Sequence, residues 1–166
     1  PYFIFCNRRE TALKNPLLTR RCDQVGPFRM FSRYADPANG RAPVVLVHGL
    51  SVSSAYMIPL ANALAPNFPV FAPDLPGYGN SEKPEHVLDL QELAAALVDW
   101  MGVIGLERAV MLGNSMGCQI ILEVAHAHPR LVERAVLVGP TMDPRAPGSI
   151  SLILRGARNM LYEPLS

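Results

Sequence analysis

No stretch of this sequence is apolar over the roughly 18 residues that a membrane-spanning helix needs. The opening run from Pro1 to Cys6 is too short for the hydrophobic centre of a secretory signal. Together these absences predict a soluble, cytoplasmic protein. Charge of one sign is also lacking. Fifteen basic against 14 acidic residues leave a formal net charge of +1, too weak a field to gather nucleic acid or an anionic membrane. The expected partner is therefore a small molecule. Cysteine is scarce: Cys6, Cys22 and Cys118 follow neither a metal-ligand spacing nor a disulfide framework. They read as thiols in a reducing compartment, with a Cys6–Cys22 bridge as the alternative. No group of His, Cys, Asp or Glu shows ligand spacing, so neither a metal nor an organic cofactor is expected. Histidine, finally, stops at His128.

What is present is apolar material, 49% of 166 residues, enough to bury one sizeable core and build one domain. The first 24 residues read as an irregular lead-in, with one strand near Leu17 to Val25. Gly26-Pro27 is a turn, and Phe28 to Tyr34 has strand content, with Arg29 and Arg33 spaced to share a face. An antiparallel hairpin at one edge of a sheet fits this stretch.

From Pro43 the pattern changes. Val44-Val45-Leu46-Val47 is a continuous apolar run of the kind found in parallel strands buried on both faces. Ser54 is placed to cap a helix carrying Met57, Leu60, Ala61 and Leu64, with Pro59 near its start. Val70 to Ala72 is a further strand. Asp89 and Glu92 have the spacing of a capping box, ahead of a helix with Leu90, Leu93, Ala94, Leu97, Val98 and Met101 on one face. Ala109 to Leu112 is a strand, a helix with Ile120, Ile121, Val124 and Ala125 follows, and Pro129 ends it. Ala135 to Val138 is the last strand of the series. Strand and helix thus alternate from Val44 to Val138, which predicts an α/β fold: a mostly parallel sheet with helices on both faces.

Gly113-Asn114-Ser115-Met116-Gly117 matches G-x-S-x-G, with a buried strand before it and an amphipathic helix after it. Two glycines are needed because the turn from strand to helix is very tight and flanking side chains would collide. The serine is then held outside the carboxyl end of the sheet, where the helix N-terminus favours developing negative charge. Ser115 is the candidate nucleophile, and Gly113 and Gly117 form its elbow.

His48-Gly49 after the first buried strand, the run Asp74-Leu75-Pro76-Gly77-Tyr78-Gly79-Asn80-Ser81 and the elbow follow one another in an order that resembles the α/β-hydrolase family. Within it, the chain is most similar to the bacterial branch with a helical cap, which includes esterases, lactonases and hydrolases of carbon–carbon bonds. The resemblance implies an oxyanion hole built from the backbone N–H groups of Leu50 and Met116, and it implies no cofactor. It also implies that His48 is structural, while Asp74, Gly77 and Gly79 fix a turn beside the pocket. Its fold would place the hydrolase core over residues 25–143 and the opening of the cap over 144–166.

The resemblance further implies an acid and a histidine after the serine. Asp143 follows the last strand and is the candidate acid, at an offset a few residues long. No histidine follows His128. His126 and His128 lie about three helical turns from Ser115, well over ~10 Å away, and His86 reads as a solvated surface residue. The chain is therefore expected to be the N-terminal part of a longer enzyme, lacking the C-terminal strands and most of the cap. Its open sheet edge is expected to favour self-association. The expected activity is hydrolysis of a carboxylic ester, a lactone or a carbon–carbon bond next to a carbonyl, through an acyl-enzyme on Ser115. Relatives that open epoxides or remove halide use an aspartate nucleophile, and Ser115 argues against those reactions. The alternatives are a catalytically silent binding module, or acyl transfer or perhydrolysis at the same serine.

Overall fold

The computed structural model describes residues 18–140, so the capping region at 144–166, Cys6 and Asp143 lie outside the described residues. Among the described residues, six strands form one sheet in the order β1-β2-β4-β3-β5-β6. The strands β1 (Thr19–Val25) and β2 (Phe28–Ala35) make the expected antiparallel hairpin, and β1 is the sheet's edge. Strand β2 also runs antiparallel to β4 (Val70–Pro73). The remaining pairs, β4 with β3 (Val44–Val47), β3 with β5 (Ala109–Asn114) and β5 with β6 (Val132–Val138), are parallel.

Alternation along the inner strands divides the core in two. Val44, Leu46, Val70 and Ala72 face one side and pack with Met57, Ala61 and Ala65 of the segment around α1 (Ile58–Leu64). Val45, Val47, Phe71 and Met111 face the other and meet α2 (Leu90–Val103) and α3 (Met116–Ala127). The continuous apolar runs are what a sheet covered on both sides requires.

Helix α2 begins at the predicted capping box: the Asp89 carboxylate accepts from Glu92 N–H and the Glu92 carboxylate from Asp89 N–H, both at 2.8 Å. Its buried face carries Leu93, Leu97 and Met101 as expected, together with Trp100, which the periodicity reading left out. The first helical segment departs from expectation. A 3₁₀ turn over Ser54–Met57 precedes α1, and its cap is Ser53, whose hydroxyl accepts from Ala55 N–H at 3.3 Å. Ser54 is fully buried, because its hydroxyl accepts from the Arg33 guanidinium. Arg29 is exposed whereas Arg33 is buried, although both occupy alternate positions of β2.

Strand β6 begins three residues earlier than its apolar run: Val132 and Arg134 pair with β5, and Glu133 falls at a register shift opposite Ala109 and Val110. Among the described residues it ends the sheet opposite β1, and Val136, Leu137 and Val138 stay 37–46% exposed. Among the described residues, no helix is long and apolar enough to cross a membrane.

Candidate active site

Ser115 sits between the last residue of β5 and the first of α3, with φ 52° and ψ −114°. Such a positive φ is costly for a residue with a side chain and persists only where the surroundings enforce it. Here the enforcement is visible. The Ser115 N–H donates to the Val138 carbonyl of β6 at 2.9 Å, and its own carbonyl accepts from Cys118 N–H at 3.0 Å. The Cys118 thiol lies 3.2 Å from the Gly113 carbonyl and 3.4 Å from that of Val138. Burial pushes the Cys118 pKa up, so it stays a neutral thiol.

Both elbow glycines are sterically required. A Cβ on Gly113 would lie 2.6 Å from the carbonyl carbon and oxygen of Gly117, and one on Gly117 would lie 2.3 Å from the Val47 carbonyl oxygen. Helix α3 can start directly above β3 and β5 only because these positions are bare. Gly49 does the same for the neighbouring loop: a Cβ there would stand 3.2 Å from Ser115 Cβ and from Asn114. The loop after β3, which carries Leu50, therefore abuts the serine. Leu50 is 64% exposed and Met116 half-buried. Met116 is the first residue of α3, where backbone N–H groups have no intrahelical acceptor.

His48 is fully buried, with both ring nitrogens engaged. Nδ1–H donates to the Gly49 carbonyl at 2.8 Å, which leaves Nε2 to accept from Leu75 N–H at 3.1 Å. Burial lowers its pKa, opposed by the Gly49 carbonyl and by Asp74. A neutral imidazole tied at both ends fixes the loop and has no nitrogen left for Ser115, in line with a structural role. Tyr78 packs edge-on against it, ring centroids 5.1 Å apart, and its hydroxyl lies 3.8 Å from Met116 Sδ. Tyr78 thus borders the serine from the 74–81 loop. Its sequence signal was an aromatic residue between Gly77 and Gly79, read there only as part of a turn.

Two of the other histidines stand away from the elbow. His126 and His128 are exposed at the far end of α3, at least ~16 Å from Ser115 by helical rise. His86 is exposed and pairs with Glu92 at 3.2 Å. Among the described residues, no group of three or more His, Cys, Asp or Glu could hold a metal ion. A cleft of about 660 Å³ lined by Val98, Leu106, His128 and Leu131 lies at that same far end of α3, remote from Ser115.

A strained serine between strand and helix, a glycine-shaped loop against it and a parallel sheet beneath it define a known architecture. The model of the alpha/beta hydrolase fold matches residues 42–159, and the chain belongs to that family. The chain is 34% identical over 130 residues to the uncharacterized hydrolase YugF of Bacillus subtilis, covering 70% of this chain and 45% of that protein. Among solved structures, a bacterial membrane phospholipase A superposes with a TM-score of 0.75 at 25% identity, covering 84% of this chain and 46% of that one. The epoxide hydrolase CorEH gives 0.75 at 26%, covering 85% and 50%. The chain thus spans half or less of the length of these relatives.

Proposed function

We propose that this chain carries the nucleophile and oxyanion side of a serine hydrolase, with Ser115 attacking a carboxylic ester, a lactone or a carbon–carbon bond next to a carbonyl. The observation that carries the reading is the backbone of Ser115, held at φ 52° between β5 and α3 by the packing of Gly113 and Gly117. Such strain is retained where it presents a reactive group.

In the proposed reaction, Ser115 Oγ bonds to the substrate carbonyl carbon and its proton passes to a histidine base. The carbonyl oxygen gains the negative charge, and the backbone N–H groups of Leu50 and Met116 stabilise it. Collapse expels the leaving group with that proton, and water then cleaves the acyl-enzyme by the reverse sequence. His48 is spent on Gly49 and Leu75, and His126 and His128 lie at the far end of α3, so none of these three is placed to act as the base. Asp143, the candidate acid, lies outside the described residues.

Two structural neighbours bear on the chemistry. The phospholipase name fits ester cleavage at a serine. The epoxide hydrolase name fits less well, because an epoxide-opening elbow uses a carboxylate and this one holds a hydroxyl. A second reading, a silent binding module, is favoured because His48, the histidine of the loop abutting Ser115, has both ring nitrogens engaged elsewhere. Labelling of the full-length protein with a fluorophosphonate separates the two: label on the wild type and none on Ser115→Ala supports the hydrolase, and equal labelling of both refutes it.

A further inference from the structure

We infer that Arg33, on the outer hairpin, is a positioning residue for the proposed active site, acting through a buried clamp centred on Asp74. The inference rests on the assignment of the Leu50 loop as an oxyanion loop.

Asp74 follows β4 and is completely buried. One carboxylate oxygen accepts from Ser54 N–H at 2.7 Å and the other from Asn80 N–H at 2.8 Å. Ser54 closes the loop that begins at His48, and Asn80 belongs to the loop that carries Tyr78. A single carboxylate therefore ties together the two loops that border Ser115. His48 makes a second tie between them through Leu75 N–H. The Asp74 backbone is fixed as well: its N–H donates to Phe31 O at 2.8 Å and its carbonyl accepts from the Ser81 hydroxyl at 2.5 Å. The fit is close enough that a Cβ on Gly79 would stand 2.0 Å from Asp74 Oδ2.

A buried carboxylate needs a compensating charge. Arg33 provides it, with Nη1 3.9 Å from Asp74 Oδ1 and only 2% of its side chain exposed. The same nitrogen donates to the Ser54 hydroxyl, and the guanidinium lies over the Phe31 ring at 4.8 Å. Arg33 thus touches both the carboxylate and the loop that the carboxylate holds. It does not touch Ser115, so its effect on turnover passes through the placement of residues 48–54. Structure alone would need only a filled, neutral site here; a charged pair reaching from β2 to the end of β4 fixes one geometry for the loop.

The test uses the full-length protein and the variants Arg33→Met, Ser54→Ala and Ser115→Ala. Hydrolysis of a p-nitrophenyl ester is followed well below the lowest melting temperature, and hydrogen exchange is followed in the peptide spanning residues 48–54. Arg33→Met is expected to lower kcat at least tenfold with KM within about twofold, and to speed exchange in that peptide. Ser54→Ala keeps both charges but removes the bridge to the loop, and is expected to lower kcat about threefold. If Arg33→Met is insoluble, Ser54→Ala decides. Wild-type kcat and unchanged exchange in the soluble variants would overturn the clamp. If Ser115→Ala is as active as the wild type, the nucleophile assignment fails, and the exchange measurement alone then decides whether Arg33 orders the loop.

Discussion

Substituting Gly117 by alanine places the strongest local load on the architecture described above. Gly117 lies in the first turn of α3, directly over the end of β3, and the new Cβ would stand 2.3 Å from Val47 O and 2.8 Å from His48 O. Both atoms are backbone, so no side-chain rotation relieves the contact. Helix and strand must separate by about 1 Å before the contact becomes ordinary. Overpacking of a tight interior costs about 1–3 kcal/mol, and a clash between backbones belongs at the upper end. Three kcal/mol is a large share of a stability of about 5–15 kcal/mol, and at roughly 2–4 °C per kcal/mol it lowers Tm by about 6–12 °C. The movement also carries the start of α3, so fluorophosphonate labelling should slow in the protein that remains folded. Gly102 is the control. It lies inside α2, and a Cβ there meets nothing within 4 Å, so Gly102→Ala should stabilise by about 0.4–1 kcal/mol. Calorimetry of the two variants checks both signs. A Gly117→Ala protein that melts within about 2 °C of the wild type and labels at the same rate would refute the packing argument.

Other expectations follow from burial and charge. Burial holds the His48 pKa below the usual 6.5, so below about pH 6.5 the unfolded state binds the proton more readily than the folded one. The stability contributed by neutral His48 is complete above that pH and is lost as pH falls toward the lowered folded value; Tm measured from pH 7.5 to 5.5 should fall less steeply in His48→Gln. Cys22 is exposed and Cys118 buried, so an aromatic disulfide reagent should modify Cys22 in the native protein and Cys118 only after denaturation. Among the described residues, strand β6 ends the sheet with Val136, Leu137 and Val138 exposed, and the 166-residue chain expressed alone should self-associate as concentration rises in light scattering. Val136→Lys should reduce that association, and a monomer at all concentrations would count against it.

Much of this fold was legible because its signals are local. The run Val44–Val47 coincides with β3, and the Asp89–Glu92 spacing forms the capping box it predicts. The need for glycine at this turn was legible for the same reason, since Gly113 and Gly117 are demanded by contacts within a few residues and to the adjacent strand. What escaped depends on residues distant in sequence. Ser54 has the residue type of a helix cap, but Arg33, 21 positions earlier, engages its hydroxyl, and Ser53 caps instead. Nothing local distinguishes Arg33 from the exposed Arg29; only the approach of Asp74 does. Trp100 lies outside the aliphatic stripe of α2, whose buried face is wide enough to include it. The start of β6 was obscured by Glu133 and Arg134, which interrupt the apolar run, although Arg134 pairs with β5 and Glu133 falls at the register shift beside it.

Trapping the acyl intermediate tests the central claim most directly. The full-length protein is mixed with a p-nitrophenyl ester, quenched in acid within the first turnover, digested and examined by mass spectrometry. The account predicts the mass of one acyl group on the peptide containing Ser115, and none in Ser115→Ala. Hydrolysis at the wild-type rate by Ser115→Ala, or an acyl group carried by a different residue, would contradict it.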